Sequence, residues 1–130
     1  EGINMGTRFL ASKEAPVHDN VKEAILNATE LDTRLIMRGL TNTERVMKNK
    51  AVDELVALEK ERGDDITFEE VAPFVVAKYR DIMKNGEMDA GAWSCGMVVG
   101  LINDIPTCQE LVDRIMNEAN LIISNRLGKM

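Results

Sequence analysis

The sequence of 130 residues contains only two cysteines, Cys95 and Cys108, and they form no framework of paired spacings. That scarcity favours a reducing, cytoplasmic setting over a disulfide-stabilised secreted domain. No apolar run approaches the ~20 residues of a membrane span, and no signal-peptide pattern is visible at the start. We therefore expect a cytoplasmic protein with no membrane partner.

Runs of basic residues are missing as well. Sixteen lysines and arginines face 22 aspartates and glutamates, which gives a net charge of −6. A nucleic-acid-binding protein carries a basic patch, so this balance argues against such a function. It leaves room for a small anionic ligand, because backbone N–H groups bind phosphate in acidic proteins too.

Histidine occurs once, at His18, two residues after Pro16 in a loop-like stretch. No cysteine–histidine pair suggests a nucleophile, so we expect no such role for Cys95 and a structural role for His18. Hydrophobic residues make up 45% and charged residues 29% of the chain. This composition is typical of a folded protein, and the length predicts a single domain over 1–130.

Four capping-box patterns, each with a glutamate three positions after a polar residue, predict helix starts. They are Asn20–Glu23, Thr41–Glu44, Thr67–Glu70 and Thr107–Glu110. With the apolar spacing behind them, they predict helices over about 20–29, 42–62, 67–84 and 107–126. Gly63 is expected to end the second of these, and Pro73 predicts a kink or restart in the third.

The segment Ala92–Ile102 is apolar almost all round and predicts a buried helix. Gly96 and Gly100, four positions apart, would let another backbone approach closely. Trp93 is expected to be a packing anchor.

Two stretches predict strands, Gly2–Leu10 and Thr33–Met37. The first strand has no evident partner. Pairing it with the second would give only a two-stranded unit, which is marginally stable in water. The chain begins at Glu1 and not at a methionine. We therefore expect a mainly α fragment of a longer protein, with one or two short strands.

Two stretches carry a family resemblance: "NMGTRFLASKEAPVH" at 4–18 and "AWSCGMVVGLINDIPTC" at 92–108. Together with residues 22–50, they resemble the C-terminal portion of the nitronate monooxygenase family, formerly the 2-nitropropane dioxygenases. These are FMN-dependent TIM-barrel enzymes. A related branch, the flavin-dependent enoyl-acyl-carrier-protein reductases, shares both stretches more loosely.

The resemblance implies a fold and a cofactor site. Residues 1–10 would be the last barrel strand and its phosphate turn, and 20–126 a helical C-terminal region. Gly6 and Thr7 match the residues whose backbone N–H groups hold the FMN phosphate. A glycine turn suits that task, because successive N–H groups form an anion nest. The family's catalytic histidine lies upstream, so no catalytic residue and no metal ligand is expected here.

Other matched positions are expected to support the site. Ser94, Cys95 and Gly96 correspond to a segment that approaches the flavin side, where Met97 replaces the family's common glutamine. Arg8 is expected to pair with a carboxylate and fix a loop. Asp104, before Ile105-Pro106, is interpreted as an ordinary turn residue.

The implied function is oxidation of alkyl nitronates with O₂ by a longer parent enzyme that binds FMN and a small-molecule substrate. One alternative is NAD(P)H-dependent reduction of enoyl-acyl-carrier-protein or quinone by the same flavoprotein family. A second is a non-catalytic helical interaction module. The fragment alone is expected to be inactive and to bind no FMN, and it could form a homodimer through an unpaired strand or exposed helix faces.

Overall fold

The computed structural model describes residues 2–76 and 78–128. Within them the chain is mainly helical, as predicted, with one small β-hairpin. The helices are α1 (Thr7–Leu10), α2 (Asp19–Asn27), α3 (Lys50–Arg62), α4 (Phe68–Val75), α5 (Lys78–Met83) and α6 (Cys108–Ile122), and the strands are β1 (Thr33–Ile36) and β2 (Glu44–Met47). Short 3-10 turns occur at Glu30–Asp32, Gly63–Asp65 and Met97–Leu101, and a π turn, Ile123–Leu127, continues α6.

The predicted strand Gly2–Leu10 is wrong in this chain. Residues 2–5 have no regular structure, and Thr7–Leu10 form α1, whose Phe9 and Leu10 N–H groups donate to the carbonyl of Gly6. A strand needs a neighbour to accept and donate its backbone hydrogen bonds. No strand in the described part of the chain pairs with these residues.

The predicted strand at Thr33–Met37 is confirmed as β1, but its partner β2 was not predicted. The two strands pair antiparallel, with Thr33 opposite Met47 and Ile36 opposite Glu44. The capping box at Thr41–Glu44 is therefore wrong. Thr41 has φ 53° in the hairpin loop, and Glu44 opens a strand.

Helix α3 begins later than predicted, at Lys50, because a different residue supplies its cap. The Asn49 side chain accepts a hydrogen bond from the Val52 N–H at 2.9 Å. Gly63 ends the helix as predicted, with φ 59°.

The predicted helix Ala92–Ile102 is also wrong, because backbone groups at the start of this segment form hydrogen bonds with β2 instead of with each other. Met47 N–H donates to the carbonyl of Trp93 at 3.1 Å, and Cys95 N–H donates to Arg45 at 3.0 Å. Residues 93–95 therefore run extended beside β2 before the 3-10 turn begins. The expected close approach does occur at Gly100, where a Cβ would lie 2.6 Å from the backbone nitrogen of Glu30.

Two of the four predicted capping boxes form in the structure. The boxes Thr67–Glu70 and Thr107–Glu110 are confirmed at α4 and α6. Helix α2 instead starts after His18, whose Nδ1 accepts from the Asn20 N–H at 3.1 Å, so the Asn20–Glu23 box is wrong. Pro73 lies within α4, and the chain restarts as α5 after a break beyond Val75.

Two hydrophobic clusters form the core. One joins α2 and α5 to the 93–102 segment around Ile25, Ile82 and Trp93. The other lies between the hairpin, α3 and α4 around Ile36, Leu55 and Val71. In the two described ranges, none of the helices combines the length and apolar character needed to cross a bilayer.

Candidate functional site

The turn at Gly6–Thr7 lies directly against the segment Ser94–Gly96. Thr7 is 9% exposed, and its Oγ1 accepts a hydrogen bond from the Gly96 N–H at 2.9 Å, across 89 residues of sequence. The structure thus brings together the two stretches that sequence reasoning assigned to the flavin side. The hydroxyl of Thr7 serves first as a tether between them.

Gly6 precedes α1 as its N-cap, with φ −95° and ψ −66°. Any residue can adopt that conformation, so glycine is not needed here to avoid backbone strain. A Cβ at Gly6 would meet nothing within 4 Å. The N–H groups of Gly6, Thr7 and Arg8 find no acceptor among the residues that the structure describes. The turn is therefore open at Gly6, and its N–H groups are candidate donors to an anion.

Arg8 is paired with a carboxylate, as predicted. Its Nη2 donates to the Asp104 Oδ1 at 3.1 Å, and also to the carbonyls of Asp104 and Ala11. The other carboxylate oxygen of Asp104 accepts from Arg114 on α6 at 2.8 Å. Asp104 is thus more than the turn residue predicted, because it connects the Gly6–Thr7 turn to the first part of α6.

This pairing also affects ionisation. Hydrogen bonding to Arg114 is the largest cause that lowers the pKa of Asp104 below its ordinary value, and the charges of Arg114 and Arg8 act in the same direction. The Arg8 side chain is 13% exposed, so the ion pair is partly shielded from water.

Cys95 is not suited to nucleophilic chemistry. Its side chain is 1% exposed, and burial raises the pKa of the thiol to about 11, against a smaller lowering by Thr7. A thiol that stays protonated at neutral pH is a weak nucleophile. Trp93, 3% exposed, is the packing anchor that the sequence predicted.

Two clefts border the turn. The larger, about 560 Å³, runs between the turn, the segment 94–96 and the start of α6, and it also contains Arg45. The smaller, about 340 Å³, is lined by residues 4–8, Gly96 and Val98. Sequence reasoning missed Arg45 because β2, which carries it, was not predicted. The stretch "TERVM" carries no alternation of polar and apolar residues that would have indicated the strand.

His18 takes part in capping and packing. The ring of His18 caps α2 and packs against Gly86, where a Cβ would lie 2.4 Å from its Nδ1. Its role is therefore structural. Within the described ranges, no group of three or more histidine, cysteine, aspartate and glutamate residues could hold a metal ion.

A family model described as nitronate monooxygenase matches residues 1–118. Two curated relatives share one name, (3aS,4S,5R,7aS)-5-hydroxy-7a-methyl-1-oxo-octahydro-1H-indene-4-carboxyl-CoA dehydrogenase. The protein from Rhodococcus jostii (strain RHA1) is 29% identical, and that from Mycobacterium tuberculosis (strain ATCC 25618 / H37Rv) is 25% identical. Each alignment covers 91% of this chain and 43% of the relative.

Among solved structures, FabK from Thermotoga maritima matches with a TM-score of 0.82 and 28% identity, over 97% of this chain and 39% of that chain. Its M276A mutant matches with a TM-score of 0.75 and 24% identity, over 35% of its chain. The chain therefore spans about two fifths of the length of the relatives it matches. The fold is that of a helical region within a flavin-dependent TIM-barrel family.

Proposed function

Because this chain belongs to the nitronate monooxygenase family, we propose that it forms the helical part of a longer FMN-dependent oxidoreductase that oxidises alkyl nitronates with O₂. The observation that carries the proposal is the match over residues 1–118, which includes both the Gly6–Thr7 turn and the segment at 94–96. The curated relatives are dehydrogenases by name, which supports redox chemistry more broadly than nitronate oxidation.

Gly6 and Thr7 are the residues proposed to hold the FMN phosphate. The open side of Gly6 and the unbonded N–H groups of the turn fit an anion. In TIM barrels the phosphate site is often formed by the loops after strands seven and eight and a short extra helix, and we assign that role to α1. When bound, the flavin supplies the electron transfer, and this chain's part is to bind and orient it.

The supporting residues act on that turn. Thr7 fixes its distance from Gly96, and Arg8 and Asp104 fix its direction relative to α6. A turn held at both ends retains its donors in place before the ligand arrives, which lowers the ordering cost of binding.

A second candidate is a reductase of the same flavoprotein family, acting on enoyl-acyl-carrier-protein or quinone with NAD(P)H. The specific support is the carboxyl-CoA compound that the curated relatives' name gives as their substrate. Acyl-CoA and acyl-carrier-protein substrates are both thioesters, so this name favours a thioester substrate over a free nitronate.

Steady-state assays on the longer protein separate the two candidates. The nitronate proposal predicts O₂ consumption on addition of propane-2-nitronate without NAD(P)H. The reductase candidate predicts NAD(P)H oxidation that depends on an enoyl thioester or a quinone. A purified longer protein that carries no flavin would contradict both and favour the helical interaction module.

For the 130-residue chain alone, we propose that it turns over no nitronate and binds no FMN with useful affinity. The chain supplies Gly6 and Thr7 but not the preceding loop that shares a phosphate site in TIM barrels. Fluorescence titration of FMN with this chain should show no saturable quenching below about 100-micromolar protein. A dissociation constant at that concentration corresponds to a binding free energy of roughly 5 kcal/mol. The homodimer stays a prediction, which sedimentation of the same sample would test.

A further inference from the structure

The larger cleft beside the Gly6–Thr7 turn contains one basic side chain. Of the described residues that line this cleft of about 560 Å³, Arg45 is the only lysine, arginine or histidine, and Glu14 is the only acid. Most of the other lining residues are small or apolar, Phe9 and Leu10 among them. The volume lies within the range of small-molecule sites, roughly 300–1,000 Å³. The cleft can therefore hold a compact ligand with an apolar body.

The backbone of Arg45 is fixed relative to the turn. Arg45 lies opposite Leu35 in the hairpin, and its carbonyl accepts a hydrogen bond from the Cys95 N–H at 3.0 Å. The next residue, Gly96, donates its N–H to the Thr7 hydroxyl at 2.9 Å. These two hydrogen bonds connect β2 to the turn through adjacent residues. Arg45 is thereby held at a fixed place beside the candidate cofactor site.

The guanidinium of Arg45 is anchored by a single hydrogen bond among the described residues. Its Nη1 donates to the Thr33 hydroxyl at 2.9 Å, and Thr33 is 7% exposed. The ion pairs of the described ranges all involve other cations. The acid in the cleft, Glu14, is already engaged, since both of its oxygens accept from the backbone N–H at the start of α6 at 3.0 Å. A guanidinium carries five N–H donors, so most of its binding capacity is left for a ligand.

An unpaired cation next to apolar walls selects the charge of a ligand. Taking the cation out of water without a partner costs free energy, and a bound anion offsets that cost. The planar guanidinium matches anions that present two oxygens in one plane, such as a carboxylate. A nitronate has the same arrangement, with two oxygens on one planar nitrogen. The carboxylate of Glu14 in the same cleft disfavours a phosphate dianion, because it adds like-charge repulsion.

We propose that Arg45 binds the anionic end of the substrate, a small monoanion with two coplanar oxygens, whose alkyl part lies against Phe9 and Leu10. The inference deepens the proposed function and rests on it for identifying this anion as the substrate nitronate. Gly6 and Thr7 then serve the cofactor phosphate, and Arg45 serves the second anion of the reaction. Anion binding at Arg45 is measured separately from turnover, so the failure of one is distinguishable from the failure of the other.

The binding test uses the isolated, isotopically labelled chain. Isobutyrate is the probe, because it is the carboxylate with the shape of propane-2-nitronate, and isobutyramide is its uncharged counterpart. NMR follows the backbone amide signals of Arg45 and Cys95. We expect isobutyrate to shift both signals saturably, with a dissociation constant below about 20 mM, and isobutyramide to shift neither.

Three variants assign the binding to the guanidinium. Arg45→Gln should weaken isobutyrate binding about tenfold or more, since the charge-assisted hydrogen bonds are lost. Arg34→Gln is the matched control, because it removes the same charge from the same hairpin, where Arg34 pairs with Asp53 at 2.7 Å outside the cleft; binding should change by less than about twofold. Arg45→Lys keeps the charge without the planar fork and should bind at least about threefold more weakly than the wild type. It replaces Arg45→Gln if circular dichroism shows the latter to be unfolded.

The second test uses the longer protein. Arg45→Gln should raise KM for propane-2-nitronate about tenfold or more with unchanged flavin content, whereas Arg34→Gln should leave KM unchanged. A merely structural role for Arg45 would instead lower the flavin content or the unfolding midpoint. If isobutyrate binds through Arg45 but the longer protein consumes no O₂ with the nitronate, the proposed function fails and the anion site stands.

Three results would overturn the inference. The first is equal binding of isobutyrate by the wild type and by Arg45→Gln. The second is binding of isobutyramide as tight as that of isobutyrate, which would show that charge is not recognised. The third is binding of inorganic phosphate at Arg45 at least as tight as that of isobutyrate, which would assign the cation to a phosphate group.

Discussion

Replacing Thr7 by valine tests the contact that joins the two halves of the candidate site. Valine has nearly the same shape, so the core loses no volume, but it cannot accept the hydrogen bond from the Gly96 N–H at 2.9 Å. Leaving that partly buried donor without an acceptor should cost about 1–2 kcal/mol. For a chain of this size the loss corresponds to roughly 4–8 °C in the unfolding midpoint.

The assay with the best discrimination is amide hydrogen exchange at Gly96, followed by NMR. In Thr7→Val the Gly96 amide should exchange about tenfold faster or more, since 1.4 kcal/mol is a factor of ten. Thr7→Ser retains the hydroxyl and should keep the amide protected. Equal protection of Gly96 in wild type and Thr7→Val would refute the tether, whatever the change in midpoint.

Three further predictions follow from the described contacts. Gly100→Ala should destabilise the chain by about 1–3 kcal/mol in urea unfolding, because its Cβ would lie 2.6 Å from the backbone nitrogen of Glu30; an unchanged midpoint would contradict this contact. The arginine partners of Asp104 lower its pKa in the folded chain, so its ionised carboxylate should contribute stability that is complete above the ordinary pKa of 3.8 and is lost as the pH falls through the folded pKa. Asp104→Asn should therefore lose less stability than the wild type between pH 5 and pH 2. Identical pH profiles of the two would refute this contribution. Cys108 should react with a thiol reagent at pH 8 in the folded chain while Cys95 reacts only on unfolding, because burial raises the pKa of Cys95 to about 11; equal rates would contradict its burial.

Capping patterns were predictable where the decisive contacts are local. The Thr107–Glu110 box forms because both hydrogen bonds join residues three positions apart. Thr41–Glu44 has the same sequence pattern but forms no capping box, because Glu44 pairs with Ile36 as part of β2. The four residues from Thr41 to Glu44 contain no information about a pairing with Ile36.

The sequence named candidate members of the site but did not reveal how they are arranged. The resemblance named Gly6 and Thr7, and it assigned 94–96 to the same side, yet residues 92–102 were expected to be helical. Their extended start depends on hydrogen bonds from Cys95 to Arg45 and from Met47 to Trp93. Such contacts join distant parts of the chain, so periodicity cannot reveal them.

The first residues show the limit most clearly. The apolar run at Gly2–Leu10 has the composition of a strand, but composition does not supply a pairing partner. Without one, the chain uses Gly6 as the N-cap of α1. In the proposed longer protein, residues 2–5 would have strands beside them, and the same sequence would be expected to pair.

Calorimetric titration of the longer protein with FMN and with riboflavin tests the central claim most directly, because the two ligands differ only in the phosphate. We expect FMN to bind at least tenfold more tightly, a difference of about 1.4 kcal/mol, and Gly6→Asp to remove that difference by like-charge repulsion. A Cβ at Gly6 would meet nothing within 4 Å, so this variant should still fold, and Gly6→Ala serves as the uncharged control. Equal binding of both flavins, or an FMN preference that survives Gly6→Asp, would contradict the assignment of the phosphate site.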